Sequence, residues 1–254
     1  MEKINHTIKN TKDTMVEGLF SVGAHFGFIK SRRHPSVKPF IFGSKNNFEI
    51  FDLEKTKQTL ERALKFIEEK GAEGAMALWV GGKSEARDAV KKAASELEMP
   101  YVAGRWIGGT LSNFAEIKKR IARLEELIDQ RDKGELAKYT KKEHLLFDRK
   151  IEKLTNYFGG LSQLRSLPKF VVIVDPKKEY TAVAEARKMR IPIVALAGSD
   201  NNLYELEYPI PGNDSSRQSI AFILRELVAA YKRGLAAKKE TTAKESVKTT
   251  EKQR

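Results

Sequence analysis

A glycine, a lysine and a serine in a row are the residues most suggestive of ligand chemistry. Gly82, Lys83 and Ser84 follow a predicted strand and open a predicted helix, which is where a phosphate-binding loop lies. A Walker A loop needs another glycine five positions before Gly82, but Ala77 stands there, so the usual nest of backbone amides cannot form. A tight strand-to-helix turn is therefore favoured, and nucleotide binding is kept as the alternative. Any phosphate bound at this helix N-terminus could equally belong to RNA.

Few other residues could support metal or covalent chemistry. The chain has no cysteine, which excludes disulfides, thiol nucleophiles and thiolate metal sites. His25 and His34 lie in a loop that does not fix tetrahedral geometry, so structural roles are favoured for both. Asp175 ends a predicted strand, where α/β enzymes keep functional groups, but with Pro176 after it a helix cap is as good an interpretation. No hydrolase, zincin or dinucleotide-binding motif occurs, so we predict no catalytic residue, metal or cofactor.

The overall charge points to a polyanionic partner. Lys and Arg number 47 against 34 Asp and Glu, which gives a net charge of +13. Binding to phosphates releases condensed counterions, so such a surplus favours nucleic acid or an anionic membrane surface. No apolar run approaches the roughly 20 residues that cross a bilayer, the N-terminus lacks a secretory apolar core, and no amphipathic aromatic helix is present. We therefore expect a cytoplasmic protein without a membrane partner or a small-molecule substrate.

The basic residues form clusters with few acidic neighbours. From Gly18 to Phe48 there is no Asp or Glu, and basic residues alternate there with aromatic ones, which suits contact with phosphates. Arg105 and Trp106 could stack on RNA bases, although burial of Trp106 is equally compatible with the sequence. Three further basic residues lie beside a predicted helical seam, where helix solubility is the alternative explanation. The predicted RNA-binding residues are Lys30, Arg32, Arg33, Lys38, Lys45, Arg105, Trp106, Lys118, Lys119, Arg120, Lys177 and Lys178.

Alternating strand and helix patterns predict the main fold. Short apolar runs bounded by turn residues indicate buried strands, and apolar residues at three- and four-residue spacing indicate the helices between them. Such alternation is typical of a Rossmann-like parallel sheet with helices on both faces. A β-hairpin is expected around residues 40–51. The predicted strands cover residues 75–80, 100–102, 170–174 and 192–196, and the predicted helices begin near residues 53, 83, 178 and 215 and end near residues 70, 97, 190 and 233.

The middle of the chain has a different periodicity. Apolar residues from Phe114 to Ile128 and from Phe147 to Phe158 repeat every three or four residues, as in narrow coiled-coil seams. Thr140 has capping-box spacing to Glu143, and an antiparallel hairpin of two arms that each project roughly 27 Å is expected. The predicted division is a first part of the body with a basic N-terminal segment (1–109), the hairpin (110–159), a second part of the body (160–234) and a disordered basic tail (235–254).

Several segments, taken in order, resemble the family of bacterial small-subunit ribosomal protein two. They are residues 22–27 (VGAHFG), 38–43 (KPFIFG), 52–56 (DLEKT), 105–113 (RWIGGTLSN), 174–179 (VDPKKE) and 208–214 (YPIPGND). The resemblance runs from about Leu19 to Arg233. The chain departs from the family at Phe28, where a second histidine is usual, at Gly82, where a threonine is usual, and in the loop 197–202.

The resemblance implies a structural function without catalysis. It indicates a Rossmann-like body with a coiled-coil hairpin, located in the cytoplasm and associated with the ribosome. The implied partners are small-subunit ribosomal RNA and neighbouring ribosomal proteins, including small-subunit ribosomal protein one, whose recruitment the chain would support.

Overall fold

The computed structural model describes residues 14–135 and 139–251, with side chains through Lys238. Residues 1–13 of the predicted first part of the body, residues 136–138 of the predicted hairpin and residues 252–254 of the predicted tail lie outside these ranges. The helices are α1 (Thr14–Ser21), α2 (Leu53–Glu73), α3 (Arg87–Glu96), α4 (Phe114–Asp132), α5 (Lys141–Phe158), α6 (Tyr180–Lys188) and α7 (Arg217–Glu251). The strands are β1 (Phe26–Ile29), β2 (Ile41–Lys45), β3 (Phe48–Phe51), β4 (Ala77–Val80), β5 (Tyr101–Val102), β6 (Phe170–Val174), β7 (Ile193–Ala197) and β8 (Tyr208–Pro211).

The centre of the molecule is a parallel sheet in the order β5, β4, β6, β7, β8. Its side chains alternate between two hydrophobic clusters, one on each face. Ala77 and Trp79 pack with residues of α2, α3 and α7, whereas Leu78 and Val80 pack with residues of α4, α5 and α6. Helices therefore cover both faces, and the predicted Rossmann-like fold class is confirmed.

The strand order places a crevice at the carboxyl ends of β4 and β6, inside the sheet. The chain passes from β4 to β5 on one side and then to β6 on the other side of β4. In open α/β sheets, ligands bind outside the carboxyl ends of the strands at such a reversal. Here that place lies after Val80 and after Val174, so Gly82, Lys83 and Asp175 meet there.

Helices α2 and α7 pack closely because two glycines lie where they cross. A Cβ atom on Gly71 would collide with the carbonyl oxygen of Tyr231, and one on Gly234 would collide with the backbone of Glu68. The sequence predicted that α2 ends before Gly71. Instead the helix continues through this glycine to Glu73, and Gly74, whose φ is 70°, forms a left-handed cap.

Beside the body lies a small antiparallel sheet in the order β1, β3, β2. The hairpin of β2 and β3 was predicted, and its two turn residues, Asn46 and Asn47, have φ of 51° and 66° as a tight hairpin turn requires. Strand β1 was not predicted, and neither was β8, an edge strand that contains Pro209 and Pro211. Proline is tolerated at an edge because no neighbouring strand needs its missing amide proton.

Helices α4 and α5 contact each other through the predicted apolar positions. Ile117, Ile121 and Leu124 of α4 are buried in one cluster with Ile151 and Phe158 of α5. The predicted capping box is present, since Thr140 accepts from the backbone of Glu143 while the Glu143 carboxylate accepts from the backbone of Thr140. The two helices are thus observed, while the antiparallel coiled-coil arrangement stays a prediction.

Helix α7 extends beyond the predicted end of the body. The helix runs from Arg217 to Glu251, and the disorder expected for residues 235–254 stays a prediction. Among the described residues, no helix is both long and apolar enough to span a bilayer.

Candidate nucleic-acid interface

The loop after β7 holds the basic segment of residues 30–45 against the body. Buried Ser199 accepts a hydrogen bond from the Phe28 amide through its Oγ and from the His34 amide through its carbonyl oxygen, both at 2.9 Å. The Ser36 hydroxyl donates to the carbonyl oxygen of Asn201 at 3.4 Å. The loop that departs from the family pattern therefore fixes the position of the basic segment.

Four of the five predicted cations in this segment face solvent. Lys30, Arg32, Lys38 and Lys45 are exposed and form no ion pair with any residue that the structure describes. Arg33 differs, because its Nη1 donates to Oε1 of Glu49 at 2.8 Å and the Glu49 side chain is 1% exposed. A buried carboxylate without a partner destabilises the folded state, so the main role of Arg33 is to pair with Glu49 and stabilise the fold.

Large aromatic side chains are exposed next to these cations. Phe42 is 79% exposed on β2, Phe26 is 54% exposed on β1 and Phe48 is 52% exposed on β3. Large apolar side chains exposed together on a sheet are unusual in the absence of a partner. The small sheet and the turns beside it thus combine exposed cations with exposed aromatic rings.

Glu185 organises the loop between β5 and α4. Its carboxylate accepts hydrogen bonds from the indole of Trp106 and from the backbone amides of Gly109, Leu111 and Ser112, at 2.7 to 3.1 Å. Burial alone would raise the pKa of Glu185, but these hydrogen bonds outweigh it and hold the pKa below its usual value. Trp106 is 7% exposed, so the prediction that it stacks on a base is wrong and the alternative of burial is correct.

The remaining predicted cations differ in how free they are. Arg105, Lys118, Arg120 and Lys178 are exposed and form no ion pair within the described part of the chain. Lys119 pairs with Glu116 at 2.6 Å, but both side chains are exposed and such pairs contribute little, so Lys119 stays available. Lys177 donates to Asp200 at 2.8 Å, and that carboxylate is mostly buried, which ties Lys177 to the body.

The crevice between β4 and β6 is filled by the protein's own charges. Lys83 Nζ lies 3.2 Å from Asp175 Oδ2 and 3.5 Å from Asp214 Oδ1, and it also donates to the hydroxyl of Ser215. Burial, and then the neighbouring charge of Asp175, raise the pKa of Asp214 to about 6, although Lys83 opposes the shift. Asp175 also accepts from the Lys178 amide at 3.2 Å, so it caps the turn that precedes α6, whereas the N-cap residue of the helix itself is Glu179.

The backbone amide that would cradle a phosphate in the Walker-like loop is also occupied. The amide of Gly82 donates to Oε1 of Glu179 at 3.0 Å, and burial raises the pKa of this carboxyl group. A Cβ atom at position 82 would collide with the carbonyl oxygen of Gly104, so the glycine serves close packing. With Lys83 neutralised and a carboxylate in the place of a phosphate, the loop does not suit nucleotide binding.

Neither histidine lies in a metal-binding arrangement. The described residues contain no cluster of three potential ligands of the His, Cys, Asp or Glu types. His25 stacks on Phe20 with ring centroids 4.6 Å apart, and burial lowers its pKa. The Nδ1 atom of His34 lies 2.8 Å from the Ser36 hydroxyl and caps the turn that follows it.

Sequence reasoning missed a basic cleft near the end of α5, which we call the α5 cleft. It has a volume of about 550 Å³ and lies between α3, the loop after β5 and the last turn of α5. Its polar and aromatic walls include Arg87, Lys91, Arg105, Tyr101 and Tyr157, and none of the residues that line it is acidic. The signal in the sequence was the four-residue spacing of Arg87 and Lys91, which places both on one face of α3.

Comparison with known proteins shows a match to one family over most of the chain. The family model described as ribosomal protein S2 matches residues 19–234. A protein of Acidothermus cellulolyticus named small ribosomal subunit protein uS2 is 42% identical, over 89% of this chain and 82% of its own length. Proteins of the same name from Nitratiruptor and Aliarcobacter butzleri are each 39% identical, over 86% and 91% of this chain and over 82% and 87% of their own lengths.

These similarities cover the whole body and the region of α4 and α5. They agree with the family indicated by the motifs in the sequence, a family of structural proteins of the ribosome and not of enzymes. The chain belongs to the ribosomal protein S2 family.

Proposed function

We propose that this protein binds small-subunit ribosomal RNA through its exposed cations and acts as a structural component of the small subunit in the cytoplasm. The observation that carries the proposal is the segment from Gly18 to Phe48, which contains no acidic residue. Glu49, the first acidic residue after it, is already paired with Arg33. Lys30, Arg32, Lys38 and Lys45 therefore remain without counter-charges among the described residues.

Contacts of this kind are made chiefly with phosphate and sugar. Lysine and arginine on a rigid surface fix the register of a folded RNA, whereas base edges are read mostly in unpaired regions. Ser199 and Asn201 hold the segment between Phe28 and Ser36 to the body, which limits the movement of the cations within and next to it. We therefore expect recognition to depend more on the shape of the RNA than on its sequence.

Co-sedimentation with purified small subunits across a salt series tests the proposal. The logarithm of the binding constant should fall linearly with the logarithm of salt, by roughly 0.7 to 0.9 for each phosphate neutralised. The double variant Arg32→Glu/Lys38→Glu should weaken binding by about tenfold or more at low salt, because two attractive contacts become repulsive. The matched control is Arg62→Glu/Lys65→Glu, which reverses two exposed charges on α2. Binding that ignores salt, or equal losses in the two double variants, would contradict the proposal.

The family resemblance also implies recruitment of small-subunit ribosomal protein one, and we include it in the proposal. The exposed rings of Phe26, Phe42 and Phe48 support contact with a protein partner as well as with RNA, since aromatic side chains are enriched in the centres of interfaces. A pull-down of purified ribosomal protein one should weaken in the Phe42→Ser variant. An unchanged pull-down would remove this surface from the proposal.

A further inference from the structure

The α5 cleft brings together cations that the protein itself does not neutralise. Lys91 and Arg105 form no ion pair with any described residue, and Arg87 uses only its Nε, which donates to the carbonyl oxygen of Gly82 at 3.2 Å. The guanidinium Nη atoms of Arg87 therefore stay free. Three cations along one cleft repel each other. Such repulsion within a protein is expected where an anionic partner supplies the missing counter-charge.

Helix α3 adds to the positive potential of the cleft. Arg87 is the first residue of α3, and Ala86 caps this helix without a side-chain acceptor. A helix N-terminus carries roughly half a positive charge, so a cation in the first turn is unfavourable for the protein alone. Asp88, the acidic residue of that turn, does not line the cleft. The combined field favours a phosphate group over any neutral ligand.

Tyr157 supplies an aromatic surface between two groups of cations. It is half-buried, packs partly against the hydrophobic cluster of α4 and α5, and lines the α5 cleft together with Arg105. It also lines a neighbouring cleft of about 580 Å³ whose walls include Arg120, Lys150 and Lys153. The second tyrosine, Tyr101, is held by packing, because Gly160 approaches its ring so closely that a Cβ there would lie 2.8 Å away. Tyr157 is therefore the ring on which a base could stack while phosphates follow on either side.

From these observations we infer that the α5 cleft binds one unpaired nucleotide of an RNA strand, with phosphate contacts from Arg87, Lys91 and Arg105 and the base stacked on Tyr157. The inference rests on the proposed RNA-binding function and adds the class of RNA element. An unpaired nucleotide is required because a base inside a duplex does not offer its face to a side chain. The cleft volume of about 550 Å³ lies within the roughly 300 to 1,000 Å³ of sites that enclose small ligands.

Binding of a labelled eight-nucleotide oligouridylate to the full chain, followed by fluorescence anisotropy, tests the inference. Lys91→Ala should weaken binding several-fold and should reduce the salt slope by roughly 0.7, the contribution of one phosphate in a single strand. The matched control is Lys92→Ala, which removes an equally exposed cation one position away that lines a different groove. The control variant should bind like the unchanged protein.

Variants of Tyr157 test the stacking contact. Tyr157→Leu should weaken binding by about tenfold, whereas Tyr157→Phe should keep it, since a phenyl ring stacks as a phenol does. Circular dichroism verifies that the leucine variant is folded. A direct readout uses oligouridylate with one 5-iodouracil, whose photo-crosslink should map to the peptide that contains Tyr157.

The possible results separate this inference from the proposed function. The inference would be overturned if the Lys91→Ala and Lys92→Ala variants bound with equal affinity, or if Tyr157→Leu bound as tightly as the unchanged protein. If Arg32→Glu/Lys38→Glu still lost subunit binding, the proposed function would stand and only the inference would fail. A duplex bound as tightly as the single strand, or displacement by polyglutamate as effective as by polyuridylate, would also overturn it. If the unchanged protein failed to bind small subunits at all, the proposed function would fall with it.

Discussion

Two cationic sites lie at neighbouring strand ends of the same sheet and differ in how their charge is balanced. In the crevice between β4 and β6, the single ammonium of Lys83 lies within 3.5 Å of the carboxylates of Asp175 and Asp214. In the α5 cleft, beyond β5, the cations Arg87, Lys91 and Arg105 line a space without any acidic residue. The charge of the crevice is balanced within the protein, whereas the charge of the cleft would be balanced only by a bound anion.

This difference shows that a cationic side chain indicates a binding site only when no acidic residue of the protein neutralises it. The crevice is where ligands bind in many α/β proteins, and its lysine and glycines resemble a phosphate loop, yet buried carboxylates occupy the positions of phosphates there. The cleft has no recognisable motif, yet its unbalanced charge is the better mark of an anionic partner. Cations that stabilise the fold and cations that bind a partner should therefore respond differently to substitution.

The largest effect is expected for Glu185→Ala, which removes the support of the loop that forms one wall of the α5 cleft. The change leaves the Trp106 indole and the amides of Gly109, Leu111 and Ser112 without their acceptor. Because unmatched buried donors and a lost charged acceptor each cost roughly 1 to 3 kcal/mol, the free energy of unfolding should fall by about 4 kcal/mol. Urea unfolding followed by circular dichroism measures the loss.

A matched control uses another glutamate of the same region. Glu152→Ala changes an exposed glutamate on α5 and should leave stability within about 0.5 kcal/mol of the unchanged protein. If Glu185→Ala were as stable as Glu152→Ala, the loop would be held by other contacts and the wall of the cleft would need another explanation.

The next largest effect is expected for Lys83→Met, which keeps most of the length of the side chain and removes its charge. Asp175 and Asp214 would then face each other without a cation in a mostly buried place, so the free energy of unfolding should fall by about 3 kcal/mol at pH 7. Lys178→Met, an exposed neighbour without an ion pair among the described residues, is the control and should have little effect. A rise in stability for Lys83→Met would show that the ammonium is not part of the fold. Micromolar ATP binding that Lys83→Met abolished would restore the nucleotide alternative.

The main elements of the fold could be predicted because they depend on local patterns. The run from Phe170 to Val174 is apolar at every position and proved to be a central strand buried on both faces, with the predicted bounds. The three-residue spacing of Thr140 and Glu143, typical of a capping box, predicted the start of α5. The edge strand β8 was not predictable in this way, since Pro209 weakens the strand pattern and the strand depends on tertiary contacts, its pairing with β7 and its packing against α2.

The sites were less predictable because the partners of a charge lie far apart in the sequence. Nothing near Lys83 reveals that Asp214 neutralises it, and nothing near Trp106 reveals that Glu185 buries its indole. Arg33 and Lys38 look alike in the sequence, but Arg33 is bound to Glu49 and Lys38 is free among the described residues. Composition and motifs predicted an anionic partner, while tertiary contacts decided which cations the fold leaves unpaired among the described residues.

Asp214 provides a test of the crevice through pH. Its pKa in the folded protein, about 6, is higher than the ordinary pKa of 3.8, so its contribution to stability is fully present below 3.8 and is lost as the pH rises through 6. At roughly 1.4 kcal/mol for each pH unit, the unchanged protein should gain about 2 to 3 kcal/mol relative to Asp214→Asn between pH 7 and pH 4. Urea unfolding at several pH values measures this difference.

Titrating groups remote from Asp214, including Glu185, are common to both proteins and cancel in the comparison. The carboxamide that Asp214→Asn introduces cannot ionise, so the relative stability of the variant should be best at pH 7 and poorest at pH 4. A difference that does not change with pH would mean that Asp214 titrates in the fold as it does in the unfolded chain, and the crevice would then be more open to water than its contacts indicate.

The smallest expected effect is an increase in stability, and it comes from a substitution in the α5 cleft. Lys91→Gln exchanges two residues of similar helix propensity on α3 and removes one of three mutually repelling cations near a helix N-terminus. Stability at low salt should therefore rise by about 0.3 kcal/mol, and the gain should disappear at about 0.5 M salt, where charges are screened beyond a few ångströms. Lys92→Gln should show a smaller gain, because Lys92 is attracted by Glu96 on the same helix, a carboxylate that also pairs with Lys232. Thermal unfolding of the three proteins in parallel resolves such a difference. A destabilised Lys91→Gln would mean that Lys91 has a stabilising partner within the chain, and the two sites would then be alike in serving the fold.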